Sequence, residues 1–105
     1  MSPKVNIDRE RLAQFCRQRG IEELSLFGSA LRQDFSDTSD VDLLVTFKPQ
    51  SHPTLFDFVR MQEELSQLFH RPVDLVSRRG LERSANYLRR TEILSTAQPL
   101  YAAAA

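Results

Sequence analysis

The chain has a single cysteine, no apolar run longer than a few residues, and no excess of charge of either sign. Each shortage excludes something. With Cys16 alone there is no intrachain disulfide and no multi-cysteine metal site. Its place on the apolar face of the first predicted helix makes it a buried thiol rather than a reactive one. Without about 18 consecutive apolar residues there is no candidate membrane-spanning helix. The N-terminal MSPKVNIDRERLAQF has neither the apolar core nor the small-residue cleavage site of a secretory signal, so a cytoplasmic location is expected. Lysine plus arginine equals aspartate plus glutamate at 14 each, which argues against a protein that holds nucleic acid by bulk charge. Repeats and linker-like stretches are also missing, and 105 residues suit one domain, expected over residues 1–101 with Ala102–Ala105 as a featureless tail.

What is present is a patterned run of strands and helices. Residues Asp8 to Arg19 read as an amphipathic helix through Leu12, Phe15 and Cys16, with Gly20 just past its end. Leu24 to Phe27 is a short strand that ends at Gly28-Ser29, and Ala30 to Gln33 are good helix formers. After the polar stretch Asp34–Ser39 comes a second strand, Asp40 to Phe47, with Val41, Leu43 and Val45 on one face and Asp42, Leu44 and Thr46 on the other. Thr54 and Asp57 form a capping-box variant ahead of a helix whose predicted apolar stripe is Leu55, Phe58, Val59, Leu65, Leu68 and Phe69. Pro72 to Ser77 is a third strand. A last helix is expected from Leu81 to about Leu94 or Ala97, with Leu81, Ala85, Leu88 and Leu94 as its candidate buried side, Pro99 stopping it and Leu100-Tyr101 packing back.

This order predicts an α/β (α+β) fold, a small mixed sheet of three to four strands flanked by helices. The short link between the first two strands favours antiparallel pairing, and the helical crossover to the third favours parallel pairing. The end of the first strand then lies beside the starts of the other two. Gly28, Ser29, Asp40, Asp42 and Asp74 would meet at one edge of the sheet. Acids at i and i+2 of a strand share a face about 6.5 to 7 Å apart, and such a pair repels itself unless a cation or proton intervenes. A Gly-Ser turn leading into a helix start offers free N–H groups to an anion, and Arg32, one turn further on, adds a bidentate donor. Three carboxylates beside a phosphate-ready turn suit a two-metal Mg²⁺ site for phosphoryl or nucleotidyl transfer, with Asp42 bridging.

The string FGSALRQDFSDTSDVDLLVTF resembles the signature of the minimal nucleotidyltransferases of the DNA polymerase beta superfamily: Gly-Ser, about ten residues, Asp-x-Asp, and a third acid on a later strand. The similarity continues through PVDLV to the helix before PLY and so covers nearly the whole chain, with Gln33 standing where many relatives carry glycine. It implies a magnesium-dependent enzyme with two Mg²⁺ ions held by Asp40, Asp42 and Asp74, and with the phosphates of ATP at Gly28, Ser29 and Arg32. Small single-domain members are typically antitoxins paired with a HEPN-family ribonuclease toxin, transferring AMP from ATP to a tyrosine of that toxin. The resemblance therefore implies a hetero-oligomeric protein partner and no membrane. The alternative from another class is an inactive antitoxin that masks its toxin by binding alone. The arginines at 78, 79, 83, 89 and 90 read as a solvated helix face rather than a nucleic-acid patch, although they are also placed to approach the nucleotide or a partner protein.

Overall fold

The computed structural model describes residues 7–28 and 40–103. Eight elements follow in order: α1 (Arg9–Gln18), β1 (Ile21–Phe27), β2 (Val41–Phe47), α2 (Leu55–Phe69), β3 (Val73–Ser77), α3 (Arg78–Glu82), α4 (Tyr87–Thr96) and β4 (Gln98–Ala102). The strands form one mixed sheet in the order β3-β2-β1-β4. As expected from the connection lengths, β1 and β2 are antiparallel while β2 and β3 are parallel. The helix ends obey local chemistry: Asp8 Oδ1 accepts from the N–H groups of Glu10 and Arg11, Thr54 and Asp57 close a capping box, and α2 ends on His70 at φ 58°.

Strand alternation sends the two faces of the sheet to different cores. Leu24 and Leu26 of β1, Val41, Leu43 and Val45 of β2, and Val73 and Leu75 of β3 pack under Leu12 and Cys16 of α1 and Met61, Leu65 and Phe69 of α2. The other face is smaller. There Phe27 and Leu44 meet Leu81 of α3 and Ile93 of α4.

Three sequence-based expectations change here. The buried stripe of α2 is Met61, Leu65 and Phe69, whereas Leu55 and Val59 are 80% and 47% exposed. The last helix is two helices, because the turn at Arg83–Asn86 intervenes and Asn86 caps a fresh start by accepting from the N–H of Arg89 at 3.1 Å. Ile93 rather than Leu88 is its buried anchor, and Leu88 is 78% exposed. Residues 98–102 are a fourth strand paired antiparallel to β1, so Ala102, assigned to the tail, is the last residue of β4 and pairs with Glu23. Ala103 extends the contact by donating its N–H to the Glu22 carbonyl at 2.7 Å.

Cys16 is fully buried in the larger core. Burial pushes its thiol up from 9.0 to about 12, with Arg17 opposing weakly. The folded protein thus keeps a neutral thiol where the unfolded chain would ionise. The contribution to stability is complete below pH 9 and declines as the pH rises from there toward 12. A thiol reagent at pH 8 is expected to modify Cys16 only at the rate of unfolding, and denaturant should unmask it at once. Rapid stoichiometric labelling of the native protein would contradict this placement.

Candidate active site

The site is built across three strands. Cross-strand register sets Phe27 of β1 opposite Asp42 of β2, and Asp42 beside Asp74 of β3. On a parallel pair, such neighbours lie about 4.8 Å apart and point to the same face. Gly28 directly follows Phe27, so a glycine and two carboxylates occupy one row near the amino-terminal ends of β2 and β3. Asp42 is half-buried, while Gly28 and Asp74 are exposed. Asp40 is an exposed residue two positions before Asp42, just outside the strand.

Gly28 is there for two separate reasons. Its backbone has φ +65°, in the left-handed region that L side chains seldom adopt. A Cβ added to it would also lie 2.6 Å from Asp42 Oδ2 and 3.3 Å from Asp42 Cγ. The Asp42 carboxylate therefore rests directly against bare backbone, and nothing larger than hydrogen fits between. Ser29 and Arg32, the other two phosphate contacts expected from the sequence, lie outside the described residues, as do the helix start at Ala30–Gln33 and the polar stretch Asp34–Ser39.

Edge strand β3 is pinned by side chains that sequence reasoning did not single out. Its outward N–H groups have no strand to pair with. Val73 donates instead to Ser66 Oγ at 3.0 Å and Leu75 to Gln62 Oε1 at 3.0 Å, both from α2. Ser66 in turn donates to the Gln62 carbonyl at 2.8 Å. On the other side the Val41 N–H reaches the Pro72 carbonyl at 2.9 Å. Asp74 sits between the two pinned residues, and its placement beside Asp42 is fixed from both edges. A polar i, i+4 pair, Gln62 and Ser66, flanking the buried stripe of α2 was the available signal.

Two acids in register supply hard oxygen donors of the kind Mg²⁺ takes. Among the described residues no three His, Cys, Asp or Glu side chains group closely enough to hold an ion together. Asp42 and Asp74 are the two acids that strand register sets side by side, with Asp40 next to Asp42 in sequence. Within the arginine-rich segment, Arg78 and Arg90 are engaged locally. Arg78 pairs with Glu82 at 3.8 Å, and Arg90 donates to the carbonyls of Glu82 and Ser84 while lying over the Tyr87 ring. Arg78 and Arg79 follow the carboxy-terminal end of β3, the end away from Asp74.

The family model of the nucleotidyltransferase domain matches residues 9–98, and the chain belongs to that family. A protein adenylyltransferase, MntA, of Thermococcus cleftensis is 38% identical over 63 residues, which are 60% of this chain and 62% of that relative's length. A solved structure assigned to a minimal nucleotidyltransferase is 36% identical, covers 87% of each chain and superposes with a TM-score of 0.66. The same fold recurs at 18% identity in a solved complex of a tri-AMPylated Shewanella oneidensis HEPN toxin with MNT antitoxin, where the match covers 90% of this chain and 70% of the other at a TM-score of 0.59.

Proposed function

We propose that the chain is a Mg²⁺-dependent protein adenylyltransferase of the cytoplasm that transfers AMP from ATP to a tyrosine hydroxyl of a HEPN-type ribonuclease toxin, which it thereby neutralises. The observation that carries this reading is the row of Gly28, Asp42 and Asp74, with Asp42 Oδ2 against the glycine backbone, in a chain of the nucleotidyltransferase family. The names of the relatives support the choice of reaction and acceptor. The MntA relative is a protein adenylyltransferase, and a neighbour in fold has been solved in complex with an AMPylated HEPN toxin.

In this reading Asp42 and Asp74, joined by Asp40 once the ions are bound, would hold two Mg²⁺ ions, which would supply charge neutralisation at the triphosphate and make the attacking hydroxyl more acidic. Gly28 brings backbone close to the phosphates, Ser29 donates to them, and Arg32 adds a bidentate contact. The tyrosine oxygen forms a bond to the α-phosphorus, the bond from that phosphorus to the bridging oxygen breaks, and pyrophosphate leaves as the tyrosine proton is lost. Asp40 and Asp74 are exposed and Asp42 is half-buried, which supports an acceptor hydroxyl carried on another protein. Among the described residues no helix is long and apolar enough to cross a membrane.

The test uses ATP labelled at the α-phosphate, Mg²⁺ and the HEPN-type protein encoded beside this chain. Label is expected on a tyrosine of that protein, whereas ATP labelled at the γ-phosphate should leave it unlabelled. A toxin that is held and silenced without acquiring label would replace the reaction with neutralisation by binding.

A further inference from the structure

A second feature lies at the opposite end of the sheet from the acids. A groove of about 560 Å³ opens where β2 and β3 end, floored by Val45, Phe47 and Phe58 and walled by Pro53 and Leu55. Phe47 and Phe58 meet edge to face with centroids 6.4 Å apart. Beside it, the first turns of α2 carry Leu55, Phe56 and Val59 at 80%, 71% and 47% exposure, three of the five exposed large hydrophobics among the described residues. Leu55 and Val59 are i and i+4, so the apolar surface is a stripe continuous with the groove wall rather than scattered positions.

The rim of this surface is polar and carries a net positive charge. His52, Arg78, Arg79 and Glu82 line the groove. Arg60 lies over the Phe56 ring, its Cζ 5.7 Å from the centroid. Two acids stand among these cations. Glu82 faces Arg78 at 3.8 Å. Asp57 accepts the Thr54 N–H in the capping box, a bond that holds its carboxyl below the ordinary range. With Arg78 balanced by Glu82, Arg79 is the groove-lining cation that no acid faces among the described residues, and an apolar stripe beside it fits a segment that presents apolar anchors with a flanking carboxylate.

We propose that this groove and the adjoining α2 stripe dock an apolar, acid-flanked segment of the acceptor protein. The proposal rests on the reading that the acceptor is a protein. A second copy of this chain fits less well, because a two-fold contact would set the same basic rim against itself. A small anionic ligand would fill the groove but leave Phe56 and Val59 in water. Three to four strand residues separate Asp42 from the groove floor at Val45 and Thr46, about 10–13 Å along β2. Because the acids face away from α2, an acceptor that touches both has to reach round the end of the sheet, a span within the width of a folded domain. Contacts so far from the reacting atoms bind ground state and transition state alike, and their loss falls on KM rather than on kcat.

The experiment measures binding and AMP transfer with the HEPN-type acceptor for wild type, Phe56→Glu, Arg79→Glu, Arg79→Lys and Asp42→Asn. Phe56→Glu should weaken binding at least 30-fold and raise KM in proportion with kcat retained. Arg79→Glu should cost about tenfold, Arg79→Lys much less, and the wild-type affinity should fall with added salt. Asp42→Asn should bind as wild type and transfer nothing. Wild-type binding by Phe56→Glu and Arg79→Glu overturns the docking site, as does a fall in kcat at unchanged KM. So does a wild-type chain that captures no acceptor, or loss in Phe56→Glu of a dimer of the chain itself. Groove-dependent binding without any AMP transfer leaves the docking site standing and removes the proposed reaction instead.

Discussion

Asp42→Asn is expected to lower nucleotide transfer by at least about 10³-fold, some 4 kcal/mol of transition-state stabilisation, without unfolding the protein. The magnitude follows from position. Asp42 is the acid in contact with the Gly28 backbone on one side and in register with Asp74 on the other, so the central hard donor of the row is lost. Asparagine keeps the shape but offers one neutral oxygen, a poor partner for Mg²⁺. Asparagine matches aspartate in size and keeps a hydrogen-bonding side chain, so the metal-free variant should stay folded and melt cooperatively. Mg²⁺ should raise the wild-type midpoint and leave the variant's unchanged, since only a ligand that binds the native site stabilises it. Label transfer and thermal melting with and without Mg²⁺ test the two halves separately. Equal transfer by the variant would remove Asp42 from the mechanism, and equal Mg²⁺ stabilisation would place the metal elsewhere.

The parts of this site that were legible in the sequence are those fixed by strand period and connection length. Asp42 and Asp74 each stand second in a strand whose odd-numbered apolar residues face α1 and α2, so the pleat alone sends both acids to the other face. Parallel pairing then places them side by side. Less was legible where burial depends on what a helix lies against. Leu55 and Val59 fit an apolar helical stripe as well as Met61 does, but in the first turns of α2 it is Phe58 that packs against the core, and Leu55 and Val59 are turned to the exposed side. Strand β4 was hidden for a similar reason. Pro99 was read as a helix stop, which it is, yet a proline also fits an edge strand, and pairing with β1 is a long-range event without a local signal. The early start of β1 at Ile21 was masked by Glu22 and Glu23, which break the apolar run although Ile21 itself is buried and pairs with Phe47.

Gly28→Ala should reduce transfer by about 100-fold and cost about 2 kcal/mol of stability, and the two losses should share one cause. Placing a Cβ at φ +65° costs about 1 kcal/mol wherever it occurs. Here the methyl would also lie 2.6 Å from Asp42 Oδ2, which no real contact permits, so the carboxylate must turn away or the β1 terminus must shift. Either response moves the central acid relative to Asp74, and a displacement of under an ångström is enough to spoil a site that works by positioning. The shared cause gives a specific check. In an Asp42→Ala background the clash has no partner, so adding Gly28→Ala should cost only the backbone part, about 1 kcal/mol, and the double-mutant cycle should show a coupling of about the same size. Additive stability losses would mean that the glycine serves the turn alone. A coupled loss, with transfer already absent in the Asp42→Ala background, would tie the bare backbone at residue 28 to the position of the carboxylate it touches.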